Sequence, residues 1–311
     1  MRPVSSRLAV VVAVLVGVMA VSGCVAEDPE PTTVDAVASE VIVRVDDVDR
    51  KFLIRAPEHT TDEQLPVVVA FHGATGNKEN FELYTGFTDS IESDRFIAVY
   101  PDGSEVSVGG KVWNAGGCCG ETGVEPADDI AFVEAILDEL PSYGADPERV
   151  YVSGFSNGGM MSYRVACELG DRIAGVASVG GSYNVTECPT QNVLPLVIVH
   201  GTADDTVPYE GGLPVAEQNA ALAITASPSV WDAVDVWMGR DSCDTSGTES
   251  VLQEAPAATV TRVAFDDCDG DSFISVNTVD GGGHIWPRAG DNTIDASEVI
   301  LDAFIRADPP S

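Results

Sequence analysis

Residues 149–169 read RVYVSGFSNGGMMSYRVACEL. Arg149 to Phe155 form a short apolar run rich in Val and Tyr, the pattern of a strand covered on both faces. Residues 157–169 follow directly and predict a helix. Between them lies Gly154-Phe155-Ser156-Asn157-Gly158, a G-x-S-x-G turn in the strand–turn–helix context of a nucleophile elbow. Side chains two positions either side of the serine would clash in so tight a turn, which is why glycine stands at both. The turn lifts the Ser156 hydroxyl clear of the sheet and aims the N-terminus of the following helix at it.

Working outward, apolar runs at 41–45, 51–56, 66–72, 95–101, 174–180, 194–200, 259–265 and 273–279 predict further strands. Helices are predicted at 79–93, 128–140, 229–239 and 295–305. In the second of these, Asp128 and Asp129 suit the N-terminus and Pro141 ends the helix. Strands alternating with helices imply an α/β fold, a mostly parallel central sheet with helices on both faces. The first two strands lie too close for a crossover and should pair antiparallel. The long stretches 101–127 and 205–228 are expected to be functional loops.

A serine hydroxyl needs a base to attack. Of His59, His72, His200 and His284, the last follows a glycine run after the final strand, a setting that lets a side chain reach over the sheet edge. His59 sits in a polar turn. His72 and His200 end strands and are expected to pack or hydrogen-bond near the site without transferring protons. The base needs a carboxylate to fix its tautomer. Asp204, four residues past His200, is placed at the sheet edge, with its neighbour Asp205 pointing elsewhere. The order Ser156, Asp204, His284 is the nucleophile–acid–histidine order of α/β-hydrolases. The oxyanion requires N–H donors: the backbone of Asn157 and that of Ala74, with Gly73 as the neighbour that could displace Ala74.

The chain of 311 residues has 50 Asp+Glu against 16 Lys+Arg, a net charge of −34 with 44% hydrophobic residues. This excludes a wholly disordered chain, and the sign disfavours nucleic acid and electrostatic docking to anionic lipid. It suits a high-salt habitat or selection for solubility. Arg2 and Arg7 precede a 14-residue apolar run at 8–21, short of the roughly 20 residues of a spanning helix. With Val21-Ser22-Gly23-Cys24 at its end, this reads as a lipoprotein signal at 1–23. Cys24 would carry the lipid, residues 24–40 form an acidic flexible tether, and residues 41–311 form a single domain. The expected place is the outer side of the cell membrane, at the cell surface or in the periplasm, held through Cys24 only. Six further cysteines, Cys118, Cys119, Cys167, Cys188, Cys243 and Cys268, suggest disulfides. Sequence does not fix their pairing, although Cys118 and Cys119 are expected to serve two separate bridges. No CxxC pair exists, and Asp266–Asp271 lacks the spacing of a calcium loop, so no metal is expected.

Six blocks together resemble the secreted esterases of the polyhydroxybutyrate depolymerase, feruloyl esterase and acetyl xylan esterase group, similar to carbohydrate esterase family 1. They are FHGATGN, VWNAGGCCG, PADDIAFVEAILDEL, VYVSGFSNGGMMSYRVACEL, HGTADDTVPYEGG and GGGHIWP. The resemblance runs from about residue 41 to residue 306. It implies an α/β-hydrolase fold and serine ester hydrolysis without cofactor, and supports Ser156, Asp204 and His284. It also implies a bridge between Cys243 and Cys268. Ala74 departs from it, since many members carry Cys there; a backbone donor does not depend on that side chain. No polymer-binding module follows the last helix, so short or soluble esters are expected, such as feruloyl or acetyl sugar esters or hydroxyalkanoate oligomers. Trp113, Tyr209 and Trp286 adjoin the motifs and are candidate substrate contacts. The alternatives are a serine peptidase of the same fold and a non-catalytic surface-binding lipoprotein. Oligomeric state is not legible.

Overall fold

Uninterrupted Val/Ile runs cannot leave either face of a strand in water, so they must lie at the centre of a covered sheet. The computed structural model of the chain describes residues 37–57, 64–88, 96–106, 109–117, 127–214, 226–254, 258–291 and 293–307. Its strands are β1 (Val37–Val45), β2 (Val48–Ala56), β3 (Leu65–Phe71), β4 (Ile97–Pro101), β5 (Ser104–Glu105), β6 (Lys111–Val112), β7 (Ala145–Phe155), β8 (Gly175–Val179), β9 (Leu196–Gly201), β10 (Thr248–Glu254), β11 (Thr259–Phe265) and β12 (Ile274–Val279). The helices are α1 (Lys78–Thr85), α2 (Asp129–Glu139), α3 (Asn157–Glu168), α4 (Val230–Arg240) and α5 (Ala296–Ala307).

One sheet takes ten strands in the order β1-β2-β4-β3-β7-β8-β9-β12-β11-β10. From β4 to β12 its neighbours run parallel. The pairings of β1, β2, β10 and β11 at the two edges are antiparallel. This is the α/β-hydrolase architecture, with the expected antiparallel lead-in. Helices α2, α3 and α4 bury Phe132, Met160 and Trp237 against one face. Helices α1 and α5 bury Phe81, Ile300 and Phe304 against the other. Phe304 stacks on Tyr151 of β7 at 4.4 Å. Each such aromatic contributes roughly 1.5–3 kcal/mol of burial.

Side-chain caps fix the helix starts. Asn77 accepts from Asn80 N–H, Asp128 from Ala131 N–H, and Ser229 forms a capping box with Asp232. Several boundaries differ from the sequence reading. The helix expected over 79–93 is interrupted after Thr85, because Gly86 turns left-handed (φ 67°) and donates to Glu82 O; helical backbone resumes at Phe87 and Thr88, and residues 89–93 lie outside the described residues. Strand β1 already begins at Val37, inside the span expected as tether. Strand β10 was not expected, since nearly all of it is exposed and no apolar alternation marks it. The loop 101–127 contains the small β5–β6 hairpin.

Cys243 is bonded to Cys268, as the family resemblance implies, and Cys167 to Cys188. These four cysteines pair among themselves, which removes the partners that two separate bridges from Cys118 and Cys119 would need. Cys118 and Cys119, like Cys24, the signal segment and His59, lie outside the described residues. The disulfides suit an oxidising, extracellular setting. Among the described residues no helix is long and apolar enough to cross a membrane.

The Cys243–Cys268 bridge closes a loop of sequence separation 25 at the end of α4. Replacing both cysteines with serine should lower stability by about 3 kcal/mol and Tm by something on the order of 10 °C. Thermal unfolding of the double variant checks this. An unchanged Tm would show that the bridge does not restrain the chain.

Candidate active site

Ser156 sits at φ 56° and ψ −120° at the head of α3, a backbone region that costs a non-glycine residue roughly 1–3 kcal/mol. The reason is visible around it. A Cβ at Gly154 would lie 2.3 Å from Gly158 O, and one at Gly158 would lie 2.0 Å from Phe71 O. Glycine at both positions lets the elbow close against the end of β3. Ser156 N–H is tied to Val179 O of β8 at 2.8 Å.

The hydroxyl so presented meets side chains from two further strand ends. His284, on the loop after β12, has Nε2 2.9 Å from Ser156 Oγ and Nδ1 2.7 Å from Asp204 Oδ2. Asp204 follows β9, the neighbour of β12 in the sheet. With Nδ1 facing a carboxylate, the imidazole carries its proton there and leaves Nε2 free to accept from the serine. The Phe155 ring backs the imidazole at 4.7 Å.

Asp204 is itself held by four donors. Oδ1 accepts from Thr206 N–H (2.9 Å) and Val207 N–H (2.7 Å). Oδ2 accepts from His284 and lies 3.3 Å from His200 Nε2. Burial alone would raise this carboxyl; the bonds from His200 and His284 outweigh it and hold Asp204 well below the usual carboxylate range. It therefore stays ionised when the imidazole takes a proton. Asp205 is exposed.

Ala74 N–H and Asn157 N–H make no backbone hydrogen bond among the described residues. Both border the serine: a Cβ on Gly73, next to Ala74, would lie 3.4 Å from Ser156 Cβ, and Asn157 is the serine's own neighbour. The Asn157 side chain pins the Trp113 backbone, accepting from Trp113 N–H (2.7 Å) and donating to Trp113 O (3.0 Å). His72 is nearly fully buried. Its Nδ1 donates to Gly73 O (2.8 Å), and its Nε2 accepts from Gly103 N–H (3.0 Å).

The three aromatic residues expected at the substrate turn inward instead. Trp113 is fully buried and donates to His72 O (2.9 Å). Trp286 is wedged between Phe81 and Phe87 and donates to Ser297 Oγ (3.0 Å). Tyr209 is buried with its hydroxyl on Thr278 Oγ1. Each braces a loop from behind, because an indole or phenol ring beside a glycine-rich loop gains more by burial than by exposure. The surface beside the serine is a cleft of about 310 Å³ whose lining includes Ala74, Asn77, Asn80, Phe81, Tyr84 and Phe155. Apart from Ala74, sequence reading missed these residues. Phe155 stood within the elbow motif, but Tyr84 and Asn80 lie on a short helix without a motif. Larger hollows around Arg164 and Glu168 have neither Gly73 nor Phe155, which border Ser156, in their lining. Among the described residues no cluster could hold a metal ion.

Burial pushes the His72 imidazole down from 6.5 to about 4. Its contribution to stability is complete above pH 6.5 and is lost as the pH falls through that window, because only the unfolded chain binds the proton there. Between pH 7 and roughly 4.5 the wild type should lose about 2.5 kcal/mol more than His72→Gln. Urea unfolding at the two pH values measures this, and equal losses would refute a buried neutral imidazole.

A family model described as "Putative esterase" matches residues 46–276. Feruloyl esterase B of Piromyces equi is 27% identical over 244 residues, 76% of this chain and 42% of that protein. "Putative esterase NocK" of Nocardia uniformis subsp. tsuyamanensis is 30% identical over 236 residues, 72% of this chain and 66% of that protein. The chain thus spans less than half of the first relative and about two thirds of the second. Among solved structures, the acetyl xylan esterase from Aspergillus awamori superposes with a TM-score of 0.57 at 17% identity, over 86% of this chain and 99% of its own; that likeness is one of fold. The family match runs from the turn after β1 into β12 and takes in the serine elbow and the aspartate loop, and the chain belongs to this esterase family.

Proposed function

We propose that the protein is a serine carboxylic ester hydrolase working through an acyl-enzyme. The observation that carries the reading is the relay Ser156 Oγ–His284 Nε2 and His284 Nδ1–Asp204 Oδ2, at 2.9 and 2.7 Å. Ser156 Oγ attacks the ester carbonyl carbon as His284 Nε2 takes its proton. The carbonyl oxygen becomes an oxyanion and accepts from the N–H groups of Ala74 and Asn157. Asp204 stabilises the imidazolium. The tetrahedral centre collapses, His284 protonates the departing alcohol, and water then releases the acid by the same steps in reverse.

The acyl group we assign to the cleft is aromatic, of the hydroxycinnamoyl kind. The Tyr84 and Phe155 rings meet edge to face with centroids 5.7 Å apart and give the cleft an aromatic wall, and the Asn77 and Asn80 amides lie on the same lining to meet ring hydroxyl or methoxy groups. The feruloyl esterase relative supports the same class. The signal, the lipid on Cys24 and the tether belong to this reading as well: a single esterase domain held on the outer side of the membrane.

Three substrates side by side test the assignment: methyl ferulate, acetylated xylan and hydroxybutyrate oligomers, with Ser156→Ala as blank. Methyl ferulate should lead by tenfold or more in kcat/KM, about 1.4 kcal/mol. Flat turnover of all three would remove the aromatic class while keeping the mechanism. Ser156→Ala should lose at least about 10⁴-fold in kcat without unfolding, and Asp204→Asn should lose less. Full activity in Ser156→Ala would refute the mechanism. Tyr84→Ala should raise KM for methyl ferulate by about tenfold and leave acetate release within twofold. An unchanged KM would move the acyl group out of this cleft.

A further inference from the structure

The sequence has three lysines among its 16 basic residues, Lys51, Lys78 and Lys111. All three meet in one chain of ion pairs beside the loop that carries Ala74. Glu40 takes Lys51 at 3.2 Å and Lys78 at 3.1 Å; Asp102 takes Lys78 at 3.1 Å and Lys111 at 2.5 Å. The side chains of Lys78 and Asp102 are 5% and 6% exposed. Asp102 Oδ1 also accepts from Lys78 N–H at 2.9 Å, which ties the first turn of α1 to the end of β4.

The loop between β3 and α1 rests on this chain. Thr75 stands at φ 64°, a strained conformation for a β-branched residue. It is held there by Lys111 O, which accepts from Thr75 N–H at 2.7 Å. Gly110 lies so close behind that a Cβ on it would be 2.6 Å from Thr75 Cα. Gly76 forms an isolated bridge with Lys111. The residue that clamps Thr75 by its backbone is therefore clamped by its own side chain to Asp102.

We propose that the Lys111–Asp102–Lys78 cluster is a positioning device for the oxyanion hole: it fixes the strained Thr75 and so sets the direction of the neighbouring Ala74 N–H. Lys111, Asp102 and Lys78 are positioning residues and touch no reacting atom. The inference rests on the ester-hydrolase reading for its effect on rate, but its structural half stands alone. Burial works against charge at Asp102, and the bonds from Lys111 and Lys78 outweigh it and lower the carboxyl. The Asp102 carboxylate is thus ionised across the neutral range. Buried pairs of this kind are screened little by salt. Removing one partner costs far more than an exposed pair is worth.

An oxyanion donor acts on charge that develops in the transition state, so its misalignment lowers kcat and spares KM. The variant of choice is Lys111→Met. Its side chain is partly exposed, and Asp102 keeps Lys78 when it is gone. Asp102→Asn removes the charge that Lys78 and Lys111 share, although Lys78 keeps Glu40 and Glu79, so it serves as the harsher companion. Lys111→Met should lose about 10–100-fold in kcat on methyl ferulate with KM within twofold. Its affinity for phenylboronic acid, which adds to the serine as a tetrahedral anion, should fall by a similar factor. Lys111→Arg should restore most of both. Hydrogen exchange at the Thr75 amide should speed up in Lys111→Met, a readout that needs no turnover. A kcat within threefold of wild type overturns the inference, as does a loss that tracks Tm and is not restored by arginine. Unchanged Thr75 protection also overturns it, even if the wild type proves to hydrolyse no ester. Labelling of wild-type Ser156 by a fluorophosphonate judges the ester-hydrolase reading separately.

Discussion

A serine forced into left-handed backbone is the constraint from which the rest of the site follows. At φ 56° Ser156 cannot relax without opening the turn. The turn is shut only because Gly154 and Gly158 let backbone meet backbone. Gly158 touches Phe71 O, so the elbow fixes the end of β3 as well as the start of α3. Once β3 ends there, its following loop has no route except past the serine, and that route brings Ala74 to it. The strain, roughly 1–3 kcal/mol, is supported by two pairs of buried elements: β7 with β8 through Ser156 N–H, and α3 with the 112–117 loop through the Asn157 amide.

Charge is arranged to the same end. The chain is strongly acidic, yet the carboxylates that matter are buried and answered. Asp129 is fully buried; one oxygen takes Arg50 at 2.7 Å and the other takes Asn114 N–H at 2.7 Å. Asp102 takes two lysines, and Asp204 takes two imidazoles and two amides. Each of the three lies at the root of a loop that borders the serine. A buried carboxylate costs several kcal/mol unless its lone pairs are filled. Once filled, it fixes several backbone N–H groups at once, which an apolar side chain cannot do.

What was legible in the sequence was whatever a short-range pattern enforces. The elbow glycines, the Val/Ile runs of β3, β7 and β9, and the acidic helix start at Asp128 each reflect sterics or hydrogen bonds within a few residues. Ser156, Asp204 and His284 could be named because each stands just past a strand end, where a parallel sheet must gather its loops. The rest depended on direction rather than position. Trp113 and Trp286 flank the motifs in sequence, but their rings point away from the cleft. Tyr84 stands in no motif, yet its ring lines the cleft. The pairing of Lys111 with Asp102 spans two strands and a hairpin too short to show as periodicity. Exposed β10 gave no signal at all, since a strand at a wet edge has no apolar face to display.

The histidines show why geometry must complete such a reading. His72, His200 and His284 all sit at strand ends or on the loops beyond them, and composition does not rank them. His72 spends both nitrogens on backbone, one donating to Gly73 O and one accepting from Gly103 N–H, so neither can move a proton to substrate. His200 spends Nε2 on Val207 O and Asp204 and keeps Nδ1 buried without a partner. His284 alone has a carboxylate on one nitrogen and a hydroxyl on the other. A base must be able to gain a proton at one nitrogen while the opposite N–H is held. Of the three, only His284 meets that condition, and the other two hold in place the loops that let it do so.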